Sequence, residues 1–257
     1  MGEALLSRLV NQQVYAPTEI VVSDPSPEKR ENLASRYGVP VTENNREAAQ
    51  AQQVLLLAVK PQIFDRVVGE LGELANKNQL VLSVLAGMTL SRLEAAFSNQ
   101  PVIRAMPNTP ATVGAGMTAI APGRSVQSHH LETARRILES VGQVVTVPEY
   151  QMDAVTGVSG SGPGYVSVFI ESLTDGGVAA GLPRSVASQL AVQAVLGTAQ
   201  LLKETGMDAS QLKNQVTSPG GTTITGIAQL ERAGLRAALI DAVQAACHRS
   251  QELGKGE

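Results

Sequence analysis

The stretch "SPGGTT" (218–223) places a serine, two glycines and two threonines at the start of a helical pattern. Amides in the first turn of a helix lack intrahelical acceptors and lie at the positive end of its dipole, so an N-terminus without bulky side chains attracts a carboxylate or phosphate. Gly220 and Gly221 expose such amides, Thr222 and Thr223 add hydroxyls at the same end, and Ser218 is a possible cap. The chemistry that suits this set is the binding and orientation of a small anion. A second glycine-dense stretch, "VSGSGPGYV" (158–166), ends one helical pattern and opens another, with Pro163 in the first turn. Tight helix packing through glycine is the simpler reading of that one.

A separate group of residues sits where apolar runs end: "SDP" (23–25), "AVKP" (58–61), "LAG" (85–87) and "AMPNTP" (105–110). In an open parallel sheet the ligand lies beyond the carboxyl ends of the strands. Small and turn-forming residues at all of these ends leave room for a flat ligand and favour a cofactor cleft over plain turns. Within them Lys60 reads either as a catalytic amine or phosphate contact or as a lysine reaching solvent. Asp24 reads either as an acceptor for adenosine ribose hydroxyls or as a turn residue ahead of Pro25.

Other chemistries lack their residues. His129 and His130 are adjacent, so on a helix they are expected to point apart, and His248 stands alone; solvated positions are expected for all three, and none has metal-ligand spacing. No Ser-His-Asp arrangement or paired-carboxylate motif stands out. An enzyme built this way must act on a substrate that is already reactive. Cys247 is the single cysteine, which excludes a disulfide framework and suits a reducing cytoplasm.

The elements that must position these residues can be read from periodicity. Short apolar runs at 19–23, 54–59, 80–85, 102–106, 117–121 and 143–147 alternate with helical stretches at 26–38, 61–77 and 89–97, each opened by Ser, Thr or Pro. Runs 54–59 and 80–85 are apolar on both faces, as buried parallel strands are. After Pro148 only helical stretches follow, at 149–159, 163–180, 184–205, 220–233 and 235–253. Several are apolar around much of their circumference, as in "ASQLAVQAVLGTAQLL", which needs a bundle or a partner chain. The expected fold is α/β: a Rossmann-like, mostly parallel sheet domain over 1–148, then an all-helical dimerisation domain over 149–257. Helical periodicity begins at Gly2, with Leu5, Leu6, Leu9 and Val10 on one face, so the first strand of the dinucleotide-binding unit is expected to be absent.

Composition narrows the function further. The 257-residue chain is 43% hydrophobic and 17% charged with a net charge of −3, the profile of a globular protein without a basic face for nucleic acid. Three Phe, four Tyr and no Trp offer few platforms for base stacking. The uncharged stretch 105–123 is interrupted by prolines and is no membrane helix, and no signal peptide is evident.

"AVKPQ", "SVLAGMTLSRLE", "VIRAMPNTPATVGAGMTA", "DAVTGVSGSGPGYV", "DGGVAAGLPR" and above all "SPGGTTITGIAQLE" resemble pyrroline-5-carboxylate reductase over nearly the whole chain. The resemblance implies reduction of 1-pyrroline-5-carboxylate to L-proline with NADPH, or NADH as alternative donor. It implies a helical domain that pairs with a second copy, completing each active site across a homodimer, and assembly into larger rings. By position it places Ser23, Asn45, Ala58, Val59, Lys60, Pro61, Ala86 and Gly87 along the cofactor, and Ser218, Gly220, Gly221, Thr222 and Thr223 around the substrate. Met1-Gly2-Glu3 resembles the end of the family's glycine loop, with Gly2 as its third glycine, so weakened cofactor binding is expected. A protonated cyclic imine accepts hydride without a strong acid, and orientation of the two reactants can supply roughly 7–11 kcal/mol. Thr223 is the candidate for a hydrogen bond to the ring nitrogen. Two alternatives remain: a β-hydroxyacid dehydrogenase-like oxidoreductase, which needs a lysine in the helical domain where only Lys203 and Lys213 precede the C-terminal "GKGE", and a non-catalytic oligomer.

Overall fold

The computed structural model describes residues 1–50, 53–71 and 76–255. The chain divides into two compact units, Met1–Gly160 with Ala245–Glu257, and Ser161–Gln244. The division expected after Pro148 falls later because residues 149–160 are tied to the sheet. Met152 is fully buried among Leu85, Met88 and Val147 in the sheet unit's core.

In the sheet unit, β3 (Val54–Leu57), β4 (Leu80–Ser83), β5 (Val102–Met106), β6 (Gly116–Pro122) and β7 (Gly142–Thr146) form one sheet in that order. Strands β3, β4 and β5 are parallel, β6 runs antiparallel to β5, and β7 is parallel to β6. Strand β4, flanked by β3 and β5, is buried throughout, with Val81 facing one core layer and Leu80 and Leu82 the other. On the second layer lie α1 (Gly2–Asn11), through Leu5 and Leu9, and α6 (Ser128–Glu139), through Ala134, Ile137 and Leu138. The first layer takes α4 (Phe64–Leu71), through Phe64, Val67 and Leu71, and α5 (Leu90–Ala96), through Leu90 and Leu93. The helix expected over 61–77 is described only to Leu71; residues 72–75 lie outside the described part.

The remaining strands, β1 (Val22–Ser23) and β2 (Val41–Thr42), form a separate parallel pair. The run at 19–23 yields only a two-residue strand because Pro17–Glu19 winds into a 3-10 turn. Strand β2 has no counterpart among the apolar runs: it too is two residues long, and period-two alternation cannot show at that length. Between the pair lies α2 (Pro27–Tyr37), started by the Ser26 hydroxyl accepting from the Lys29 amide and ended by Gly38 at φ +69°. Among the described residues, β1 and β3 each have one edge without a partner strand. Side chains tie the small sheet to the large one's helices: Ser23 Oγ donates to Asn45 Oδ1 (2.8 Å), and Asn45 Nδ2 donates to Glu70 Oε2 (2.6 Å). Asn45 opens α3 (Asn45–Ala49), and Glu70 lies in α4.

The histidines differ from expectation. His130 is buried, not solvated, and its ring centroid lies 3.8 Å from that of His129 at a tilt of 46°, so the two rings lie against each other and do not point apart. Its Nδ1 accepts from the Gln127 amide (3.1 Å), closing the first turn of α6. A histidine three residues into a helix can fold back as a cap, and that local use overrides helical direction.

The second unit contains α8 (Gly162–Ala179), α9 (Arg184–Thr205), α10 (Ala209–Gln215), α11 (Thr222–Arg232) and the first part of α12 (Leu235–Lys255). Before it, α7 (Met152–Val155) and a π-helical turn (Thr156–Gly160) complete the sheet unit. A Cβ on Gly177 would lie 2.9 Å from Ala187 Cβ, so glycine permits the close crossing of α8 and α9. Val168, Leu190, Val192, Leu196 and Ile240 are exposed. By length and hydropathy alone α9 could cross a membrane, yet only 11% of that span is buried within the chain.

Candidate active site

The sheet-side site is built where β1, β3 and β4 end. Ala58, Val59 and Lys60 follow β3, and Pro61 starts a 3-10 turn (Pro61–Ile63) that turns the chain into α4. Ala58 and Lys60 are exposed, and among the described residues Lys60 has no ion pair. After β4 come Ala86, exposed, and Gly87 at φ +71°, a left-handed backbone that a side chain would strain. Gly2 begins α1 beside them. A Cβ there would lie 3.1 Å from Ala58 Cβ, a tight contact, so glycine at residue 2 lets the helix start sit close against the end of β3.

These residues fit a dinucleotide. The first turn of α1 has no side-chain cap and offers its amides to a pyrophosphate. Ala58, Ala86 and Gly87 leave a low floor for flat rings, and Ser23 with Asn45 forms a hydrogen-bonded pair at the end of β1. Asp24 makes the turn after β1: its Oδ1 accepts from the Ser26 amide (2.9 Å), its Oδ2 lies 3.8 Å from Lys29 Nζ, and its carbonyl accepts from Arg30 Nη1 (2.8 Å).

Asn108 gains a role that its motif alone does not reveal. It stands just past β5, where Nδ2 donates to the Ser159 carbonyl (3.2 Å) and hydroxyl (3.3 Å) and Oδ1 accepts from the Met117 amide (2.9 Å). One amide thus joins the β5–β6 loop to the π-helical turn. An asparagine between two prolines at a strand end is the signal in the sequence, since neighbouring backbone there cannot extend a ladder. Gly160 packs in the same place, its Cβ position 3.0 Å from Met106 Cε, which gives the "VSGSGPGYV" stretch a packing role. Arg104, buried in mid-strand, also escapes a reading by motif; it pairs with Glu149 at 3.3 Å.

The second site lies in the helical unit at the start of α11. Ser218 is not its cap: Gly221 holds that position, with no side-chain capping bond, and the helix begins at Thr222. Gly220 (φ +68°) turns the chain, and the Gly221 amide bonds the Ser218 carbonyl (3.0 Å). A Cβ on Gly221 would lie 2.5 Å from Ser218 Oγ and 3.1 Å from the Ser218 carbonyl oxygen, so glycine there lets the hydroxyl sit over the bare helix start. Thr222 and Thr223 are exposed, next to first-turn amides that the helix itself cannot satisfy. The arrangement is an uncapped positive helix end flanked by hydroxyls, suited to a carboxylate and a neighbouring polar atom. Among the described residues no group of three or more His, Cys, Asp or Glu is placed to hold a metal ion.

Known proteins share this plan. Residues 149–253 match the family model described as pyrroline-5-carboxylate reductase dimerisation, and residues 1–87 match one described as NADP oxidoreductase coenzyme F420-dependent. The chain is 57% identical over 255 residues to the pyrroline-5-carboxylate reductase of Synechocystis, covering 99% of this chain and 95% of that protein. Among solved structures it resembles that of a pyrroline-5-carboxylate reductase from Coxiella burnetii (TM-score 0.92, 35% identity, 98% of this chain and 94% of that one). It also resembles the Plasmodium falciparum pyrroline carboxylate reductase with NADP bound (TM-score 0.88, 30% identity, 99% and 94%).

Proposed function

The chain belongs to the pyrroline-5-carboxylate reductase family, and from that membership we propose how its own residues reduce 1-pyrroline-5-carboxylate to L-proline, the last step of proline biosynthesis. The bound NADPH, or NADH as alternative donor, supplies the hydride. Gly2, Ser23, Asn45, Ala58, Val59, Lys60, Pro61, Ala86 and Gly87 would hold it at the strand ends, with Asp24 shaping the turn after β1 on the cofactor side. Amides at the start of α11 receive the substrate carboxylate, shaped by Ser218, Gly220 and Gly221, with Thr222 beside them. Thr223 hydrogen-bonds the ring nitrogen and holds the imine carbon toward the donor. Protonated imine carbon is electrophilic, so the protein's contribution is orientation and fixed dipoles, not a strong acid.

Residues 149–253 form the family's dimerisation domain. The exposed apolar residues of α8, α9 and α12 are the surface a second copy covers, and each active site takes its α11 from one protomer and its strand ends from the other. Dimers assemble further into a ring. The enzyme works in the cytoplasm, without nucleic acid or membrane partners; the membrane-like hydropathy of α9 is that of a subunit interface.

The observation that carries this reading is the uncapped start of α11 with Thr222 and Thr223 exposed beside it. In Thr223→Val, kcat is expected to fall about tenfold or more, the worth of one hydrogen bond to a charged group, while the Kd for NADPH stays within twofold. Unchanged turnover would remove Thr223 from the mechanism.

A further inference from the structure

The sheet unit includes a segment far away in sequence, Ala245–Glu257, which carries the last part of α12. Two contacts fix this segment. Ser250, only 5% exposed, donates from Oγ to Asp153 Oδ1 at 2.7 Å. Asp153 follows the fully buried Met152 in α7, so the anchor point is set in the core. Further along, Leu253 and Gly254 lie on the turn after β4. The Cβ position of Gly87 is 3.7 Å from Leu253 Cβ and 3.9 Å from its carbonyl carbon, and the Cβ position of Gly254 is 3.6 Å from the Gly87 carbonyl oxygen. Leu253 is 55% exposed, so it contributes little to the core, and it is its Cβ and carbonyl that lie over Gly87.

Gly87 is held at φ +71°, and glycine is the residue with most backbone freedom when nothing packs on it. We infer that the last turns of α12 are a brace for the dinucleotide site: Ser250 pins the helix end to α7, and Leu253 presses the Ala86–Gly87 turn into the shape that receives the cofactor. Ser250 and Leu253 are positioning residues that touch neither substrate nor donor. The inference rests on Ala86 and Gly87 lining the cofactor. A turn ordered in advance lowers the ordering cost of binding, so loosening the brace acts on cofactor affinity and leaves the α11 site alone.

The test uses the full chain with Leu253→Gly, which removes the Cβ that meets Gly87, Ser250→Ala, and the conservative Leu253→Ala, which keeps that Cβ. Calorimetry of NADPH binding and hydrogen exchange of the 85–89 amides in the free protein are the readouts. The expected result is a Kd for NADPH raised five- to twentyfold in Leu253→Gly and Ser250→Ala, with faster exchange at 85–89. At saturating NADPH, kcat and the KM for pyrroline-5-carboxylate stay within twofold, and Leu253→Ala, which keeps the Cβ, leaves both readouts near those of the unaltered chain. Unchanged Kd with unchanged exchange overturns the brace. Faster exchange with unchanged Kd also overturns it, and locates the failure in the assignment of Ala86 and Gly87 to the cofactor. A parallel Ala86→Leu variant distinguishes the two causes, since it should impair NADPH binding whether or not the brace exists.

Discussion

Asp24 shows how a residue legible by type can be fixed in role only by its neighbours. An acid after a strand reads as a ribose ligand or a turn former, and here both its carboxylate oxygens have local partners, the Ser26 amide and the Lys29 ammonium. Its charge is thereby engaged locally and partly offset by Lys29. Both donors should support turnover, with a preference for NADPH below a hundredfold. Lys29→Ala removes the offset, and an exposed pair of this kind contributes about 0.2–1 kcal/mol, so the kcat/KM ratio of NADPH to NADH should fall by up to about fivefold. Steady-state kinetics with both donors measures this; a ratio that rises would show Lys29 working against the phosphate. Glycines are legible in kind but not in detail. The "SPGGTT" stretch reads as a helix start, whereas the cap is Gly221 and not Ser218 because the serine lies back over the glycine.

At the scale of elements, long apolar runs are legible and short ones are not. Strand β3 can be read from uninterrupted hydrophobic residues and β4 from a run broken only by Ser83, while β2 pairs through two residues only and leaves no periodic trace. His130 departs from expectation for a related reason: helical direction predicts exposure, but its ring folds back on Gln127 and is covered. Burial lowers its pKa below the usual histidine value, with the neighbouring His129 adding to the effect. The Asn78 backbone opposes this without giving Nε2 a hydrogen-bond partner among the described residues. The unfolded chain therefore takes up the proton at a higher pH than the folded one. Stability from this site is present above pH about 6.5 and is lost as the pH falls toward the folded value. Melting temperature should drop on acidification below neutrality, and His130→Gln should flatten that slope. An identical slope in the variant would show that another group sets the acid limit.

At the scale of the whole molecule, the apolar surface of the helical unit decides the state of the protein in solution. Leu190, Val192, Leu196 and Ile240 stay exposed on one chain, a surface that a folded monomer rarely leaves to water. Sedimentation at micromolar concentration should show a dimer or larger species, as the dimerisation family implies. A stable, folded monomer would remove the shared site along with the interface. That helices follow the sheet is legible from the change of pattern near Pro148; that the end of α12 belongs to the sheet unit is not, because periodicity says which face is buried and not against what. The reduction itself is tested most directly by its product. The purified protein is incubated with NADPH and 1-pyrroline-5-carboxylate, and L-proline and oxidised cofactor are quantified together, with Thr223→Val alongside. Proline and NADP in equal amounts, formed about tenfold or more slowly by the variant, is the expected result. Oxidation of NADPH without proline, or equal rates from both proteins, would contradict a reductase whose substrate is held at the start of α11.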